Sequence, residues 1–150
     1  MTAQRRVHEK PIEYRRAAAE GDLTLGLRAR RAIRQGRVEK GDPLGAGELA
    51  GLVAIKRTAE LIPHCHTIPL TGSRVTLKSS RTGVRAEAEV EAVWRTGVEM
   101  EALVGVTVAL LTVWDMVKYL EKDRRGLYPT TRLGPIRVTE KAKRPPSERP

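Results

Sequence analysis

The sequence is poor in cysteine, aromatic residues and side-chain amides. It has one cysteine, Cys65, so no disulfide can form within the chain. Phenylalanine is absent, and there are only two tryptophans and three tyrosines. Proteins that bind single-stranded nucleic acid usually stack bases on aromatic side chains, so this composition disfavours that class. Asparagine is also absent, a depletion typical of thermophilic proteins.

The sequence also lacks a long uninterrupted apolar segment. Its longest, Ala102–Trp114, has 13 residues with charges close by on both sides. A membrane-spanning helix needs about 20 apolar residues, so we expect a buried core helix and no membrane association. The chain opens without the pattern of a signal peptide, and with its single cysteine this predicts a cytoplasmic protein.

Positive charge is abundant. The 28 lysines and arginines exceed the 18 acidic residues, which gives a net charge of +10. The excess is concentrated towards both ends of the chain. Such a surface attracts polyanions, either a nucleic acid or a phosphorylated small molecule.

Hydrophobic periodicity predicts a mixture of strands and helices without a strict βαβ rhythm. The clearest strand is Val84–Trp94, in which small apolar residues alternate with charged ones. The other predicted strands are Leu23–Leu25, Arg74–Lys78 and Pro135–Val138, and the predicted helices are Leu27–Gln35, Glu48–Arg57 and a long helix ending near Lys122. This pattern favours an α+β fold, with helices packed on one face of an antiparallel sheet.

The domain organisation follows from composition. Residues 1–10 are predicted to be a flexible basic arm, residues 11–143 a single domain and residues 144–150 a mobile tail. Thr96 and Glu99 match the capping-box spacing at the start of the long helix. Residues 40–43 (Lys-Gly-Asp-Pro) are typical of a turn, and Leu49, Leu52, Val53 and Lys56 form one stripe of the second helix.

The long helix carries charge at both ends. Glu99 and Glu101 lie in its first turn, while Asp115 and Lys118 are three residues apart, so their side chains can meet. A carboxylate beside a lysine can keep the amine charged or orient it for proton transfer. The alternatives are a solvated surface pair for Asp115 and Lys118, a helix cap for Glu99, and for Glu101 a carboxylate that the helix dipole stabilises.

A second group of candidates lies between residues 56 and 66. His64, Cys65 and His66 could bind a metal, although zinc sites usually have wider, paired spacings. The alternatives are packed histidines, or histidines that transfer protons and contact substrate. Lys56 and Arg57 end a mostly apolar helix, where they could bind phosphate or extend their charged ends into solvent.

Four segments of the sequence resemble the cyclic pyranopterin monophosphate synthase family of molybdenum cofactor biosynthesis. They read GRVEKGDPL, AGLVAIKRTAELIPHCHTIPL, RTGVEMEALVGVTVALLTVWDMVK and GPIRVTEK, and the similarity runs over roughly residues 7 to 143. The TGVEMEAL segment followed by WDMVK is highly specific for this family. The chain resembles an archaeal or thermophile-type member.

The resemblance implies a ferredoxin-like fold and a hexamer built as a trimer of dimers, with the site at a subunit interface. The implied enzyme is a lyase that rearranges 3′,8-cyclo-7,8-dihydro-GTP to cyclic pyranopterin monophosphate and releases diphosphate. The partners implied are this cyclised nucleotide and further copies of the chain. The resemblance implies neither a cofactor nor a metal.

Roles for individual residues also follow from the resemblance. The implied catalytic residues are Lys40, His66, Glu101, Asp115 and Lys118. The implied substrate-binding residues are Lys56, Arg57, His64, Cys65, His66, Glu99, Met100 and Lys141.

The sequence departs from the family pattern at three positions that bear on the site. Arg6 stands where an aspartate is expected, His64 replaces leucine and Thr67 replaces proline. Arg6 and His64 leave open a catalytically inactive relative, and the basic charge leaves open a ferredoxin-like RNA-binding module. The RNA-binding hypothesis gives no role to Glu99, Glu101 and Asp115, because carboxylates repel phosphates.

Overall fold

The computed structural model describes residues 1–148, and the described chain forms four strands and four helices. In chain order they are β1 (Glu13–Thr24), α1 (Leu27–Arg34), α2 (Pro43–Lys56), α3 (Thr58–Leu61), β2 (Leu70–Ser79), β3 (Gly83–Trp94), α4 (Glu99–Glu121) and β4 (Arg132–Arg144). Arg149 and Pro150, the end of the predicted tail, lie outside the described residues.

The four strands form one antiparallel sheet in the order β2-β3-β1-β4. β1 and β2 both pair antiparallel with β3 and are therefore parallel to each other, so the connection through α1 to α3 crosses the sheet. α4 makes the matching crossover from β3 to β4. This arrangement is ferredoxin-like, and it confirms the predicted α+β class.

The core lies between one face of the sheet and α4. β3 alternates as predicted, and five of its residues are at most 1% exposed: Val84, Ala86, Ala88, Val90 and Ala92. α4 packs against them through a continuous buried face that runs from Ala102 to Val117. α4 is long and apolar enough to span a membrane by length and composition, but its position in this core is that of a buried helix.

Glycines allow α2 to approach α4 closely. A Cβ atom at Gly51 would lie 2.9 Å from the backbone oxygen of Gly105, so no larger residue fits without moving a helix. The buried side of α2 therefore consists of small residues together with Ile55. Two residues of the predicted apolar stripe face solvent, since Leu49 is 65% exposed and Val53 is 44% exposed, while Leu52 is half-buried against the core.

Three strands are longer than predicted. The predicted strand Leu23–Leu25 is only the end of the longer β1. Because β1 lies between β3 and β4, it forms hydrogen bonds with both, and these outweigh the weak strand propensity of its alanines. β2 and β4 extend past Arg74–Lys78 and Pro135–Val138 at both ends. Lys141 and its neighbours up to Arg144 therefore belong to β4.

One predicted helix start and one predicted helix cap are wrong. α2 begins at Pro43, because the Asp42 side chain accepts a hydrogen bond from the Leu44 N–H and caps the helix there. The capping box at α4 does not form. Val98 is the N-cap and no side chain caps it, so Thr96 lies too early for the spacing to work.

The sheet face opposite the helices is covered by ion pairs. Arg16 pairs with Glu89 and Glu140, and Arg85 pairs with Glu20 and Asp22. Opposite charges therefore compensate one another across this face.

Candidate active site

Two lysines from distant parts of the chain converge on Asp115. Lys118 Nζ lies 2.7 Å from Asp115 Oδ1, one helical turn along α4. Lys40 Nζ lies 3.1 Å from Asp115 Oδ2 and also donates to the Asp115 carbonyl oxygen at 3.1 Å. We call these three residues the lysine–aspartate cluster. The resemblance implied catalytic roles for all three, and the fold brings them together.

The loop between α1 and α2 is fixed where it presents Lys40. Gly41 has φ +106°, a left-handed conformation that favours glycine, and Asp42 then caps α2. On the other side of Lys40, the Glu39 N–H donates to the Tyr119 hydroxyl of α4 at 2.9 Å. The loop backbone is thus fixed on both sides of Lys40, by the Glu39–Tyr119 hydrogen bond before it and by the Asp42 cap after it.

The lysine–aspartate cluster is held together by two ion pairs and is open to solvent. Hydrogen bonds from Lys118 and then Lys40 lower the pKa of Asp115, and Asp115 in turn raises the pKa of Lys118. The side chains of Lys118 and Asp115 are 41% and 56% exposed within one chain. The Lys118 amine is therefore held charged, and both lysines lie where an anionic ligand can reach them.

A cavity of about 330 Å³ lies at the other end of α4. Lys56, His66 and Glu101 contribute polar groups to it, and Ile55, Ile68 and Leu70 are among its apolar residues. We call it the Glu101 cavity after the buried acidic residue in its lining, which is only 4% exposed. His66 and Glu101, for which the resemblance implies catalytic roles, thus line one cavity together with Lys56, for which it implies substrate binding.

The two carboxylates of the first turn of α4 have opposite electrostatic environments. Burial, reinforced by the charge of Glu99, raises the pKa of Glu101 to about 6 despite a hydrogen bond from its own backbone. Burial also acts to raise the pKa of Glu99, but the hydrogen bond and charge of Lys141, a backbone hydrogen bond and the charge of Arg15 together outweigh it and lower that pKa. The Lys141 Nζ–Glu99 Oε1 distance is 2.6 Å. Glu101 can therefore exchange a proton near neutral pH, while Glu99 stays ionised.

A second cavity, of about 160 Å³, adjoins the Glu101 cavity. It contains His64, Cys65 and Met100 and shares His66 and Glu101 with its neighbour. Burial and the charge of Glu101 raise the pKa of the Cys65 thiol. Within residues 1–148, no group of three or more His, Cys, Asp or Glu side chains is arranged to hold a metal ion.

Within one chain the candidate residues form two separate groups. Glu101 and Asp115 are 14 positions apart on α4, which corresponds to about 21 Å along the helix axis. Arg57 is exposed as the C-cap of α2 and does not line either cavity.

Sequence reasoning missed two residues near these groups. Arg15 is 8% exposed, forms a 3.0 Å ion pair with Glu13 and contributes to lowering the pKa of Glu99. Tyr119 supports the Lys40 loop. Neither carries a local signal: β1 was not recognised as a strand beyond its last residues, and the contact of Tyr119 joins residues 80 positions apart.

The fold and these groups define an α+β domain suited to proton transfer on an anionic small molecule. Comparison with known proteins agrees, since residues 5–143 match the MoaC family. The chain belongs to this family. A protein of Pyrococcus abyssi named "Probable cyclic pyranopterin monophosphate synthase" is 50% identical over 137 residues, covering 91% of this chain and 86% of that protein.

Relatives from other archaea carry the same name. The Methanosarcina acetivorans protein is 50% identical over 91% of this chain and 87% of its own length. The Archaeoglobus fulgidus protein is 50% identical over 91% of this chain and 86% of its own length. Neither the RNA-binding hypothesis nor the inactive relative gains support from these names.

Proposed function

We propose that this protein is a cyclic pyranopterin monophosphate synthase of molybdenum cofactor biosynthesis. It rearranges 3′,8-cyclo-7,8-dihydro-GTP to cyclic pyranopterin monophosphate, and diphosphate is released. The observation that supports this proposal most is the convergence of Lys40 and Lys118 on Asp115. The family and the names of the archaeal relatives point to the same reaction.

The lysines supply charge and protons at the nucleotide. In the proposed phosphate step, a substrate hydroxyl attacks the α-phosphorus, the bond from that phosphorus to the oxygen of the β-phosphate breaks, and diphosphate leaves with that bond's electron pair. The proton lost by the hydroxyl is taken up by the departing diphosphate. The charged amines of Lys40 and Lys118 stabilise the negative charge that builds up on the phosphates. Asp115 acts by holding both amines in place through its ion pairs, and it raises the pKa of Lys118.

Glu101 and His66 are the proposed acid–base residues of the ring rearrangement. Glu101 is ionised about as often as it is protonated near pH 6, so it can accept a proton in one step and return it in another. His66 lines the same cavity. The substrate is proposed to be bound by the residues around Glu101 and His66, namely Lys56, His64, Cys65, Met100 and the Glu99–Lys141 pair. Arg57 is proposed to bind it from outside the two cavities.

We further propose that the working enzyme is a homo-oligomer, a hexamer built from dimers. The two groups are too far apart along α4 to act on one nucleotide within one chain, so a site at a subunit interface would combine Asp115 of one copy with Glu101 of another. The exposed Leu49 and Val53 of α2 offer an apolar surface for such contacts.

We propose that this oligomer is a cytoplasmic protein adapted to high temperature. The free Cys65 thiol suits a reducing compartment. The ion-pair network on the sheet and the absence of asparagine support thermal adaptation.

The experiment that tests the function supplies purified protein with the cyclised nucleotide and, separately, with GTP. We expect one diphosphate and one cyclic phosphate product per cyclised nucleotide, detected by ³¹P NMR and mass spectrometry, and no product from GTP. Absence of diphosphate from the cyclised substrate contradicts the proposal.

A further inference from the structure

The N-terminal segment contacts the body of the protein at two defined points. Gln4 Nε2 donates a hydrogen bond to the Cys65 carbonyl oxygen at 2.7 Å. Arg95 Nη1 donates to the carbonyl oxygens of His8 and Lys10 at 3.0 and 2.6 Å. The Lys10 N–H also donates to the Val7 carbonyl oxygen, so the segment turns at Arg95.

These two anchor points belong to the two chain segments that line the second cavity. Cys65 lies in the loop of residues 64–68, and Arg95 immediately precedes Thr96 and Gly97 on the other lining segment. Residues 4–10 therefore connect the loop to the end of β3 and the start of α4.

The loop has few other constraints on its backbone. It lies between α3 and β2 without regular hydrogen bonding, and a bond from the Cys65 N–H to the Ile62 carbonyl oxygen is local. A loop that must become ordered when a ligand binds lowers affinity by the cost of that ordering. A contact that fixes the loop in advance removes part of this cost.

We propose that residues 4–10 form a strap that holds the His64–His66 loop in its substrate-binding position, with Gln4 and Arg95 as positioning residues. Neither side chain needs to touch the substrate. The inference rests on the proposed role of this loop in substrate binding, so its test includes one readout that does not depend on that role.

The sole thiol provides that readout, because the labelling rate of Cys65 by a thiol reagent reports how freely the loop moves. The chain also offers a matched control, since Gln4 and Gln35 are its only glutamines and both are exposed. We expect Gln4→Ala to speed labelling and raise KM by about 2- to 10-fold, as for one net hydrogen bond, with kcat little changed. Gln35→Ala should match the wild type.

Arg95 tests the other anchor. Arg95→Ala removes both carbonyl contacts and should produce a larger change of the same kind, while Arg95→Lys keeps a donor and should partly restore the wild-type values. Because Arg95 is half-buried, circular dichroism should first establish that each variant folds; the exposed Gln4 keeps the test decisive if Arg95→Ala does not.

Each outcome decides the proposal. Equal labelling in Gln4→Ala and Gln35→Ala overturns the strap. Faster labelling with an unchanged KM overturns its role in substrate binding. If the wild type shows no turnover, the proposed function fails, while the labelling contrast still decides whether the strap restrains the loop.

Discussion

Glu101 gives the sharpest stability prediction. The residue is 4% exposed, and burial followed by the charge of Glu99 raises its pKa from 4.5 to about 6. At about 1.4 kcal/mol per pH unit, this rise corresponds to about 2 kcal/mol of destabilisation once Glu101 is ionised. Glu101→Gln keeps the shape of the side chain but cannot ionise.

The sign of the effect follows from proton binding. Below the unfolded pKa both states are protonated at this site, and ionisation costs nothing. Between the two pKa values the unfolded chain loses the proton while the folded chain keeps it, so wild-type stability falls as pH rises through about 6. We expect the wild type to lose about 2 kcal/mol relative to Glu101→Gln between about pH 4 and about pH 7.

Urea unfolding at fixed protein concentration measures this difference, because the stability of an oligomer depends on its concentration. Glu99→Gln is the matched control. Burial alone would raise the pKa of Glu99, but Lys141, Arg15 and a backbone hydrogen bond together lower it, so the stability that Glu99 contributes is present above its unfolded pKa and lost as pH falls. A wild-type–Glu101→Gln difference that does not change with pH refutes the argument.

Three further predictions concern catalysis and assembly. Lys40→Ala and Lys118→Ala should each lower kcat by about 10²- to 10⁴-fold in folded protein, and losses below about tenfold for both would exclude them from the mechanism. Asp115→Asn should lower the pKa of Lys118 and move the corresponding limb of the pH–rate profile to lower pH; an unchanged profile and rate would make Asp115 a surface partner only. Sedimentation should find that the wild type is an oligomer, and that replacing the exposed Leu49 or Val53 by aspartate dissociates it. A monomeric wild type would contradict the assembly.

The sequence predicts the elements whose periodicity is strong. β3 alternates over its whole length and α4 has a long apolar face, and both were placed within one or two residues of their ends. Only the end of β1 is predicted, because Ala17, Ala18 and Ala19 have weak strand propensity, and only pairing on both sides makes them a strand.

The candidate site was predicted unevenly for a similar reason. Spacing alone predicts that Asp115 and Lys118 can meet, since both lie on one helix. It does not predict that Lys40 joins them, because that contact spans 75 positions and depends on how α2 packs against α4. The resemblance to a family supplied that residue, and the fold supplies its position beside Asp115.

The most direct test of the central claim is turnover of 3′,8-cyclo-7,8-dihydro-GTP by the wild type, Lys118→Ala and Lys122→Ala. Lys122 is an exposed lysine one turn after Lys118 and serves as the matched control. The account predicts diphosphate release by the wild type and Lys122→Ala at similar rates, and at least about a hundredfold slower release by Lys118→Ala. Equal rates in the two variants, or no diphosphate from the wild type, would contradict it.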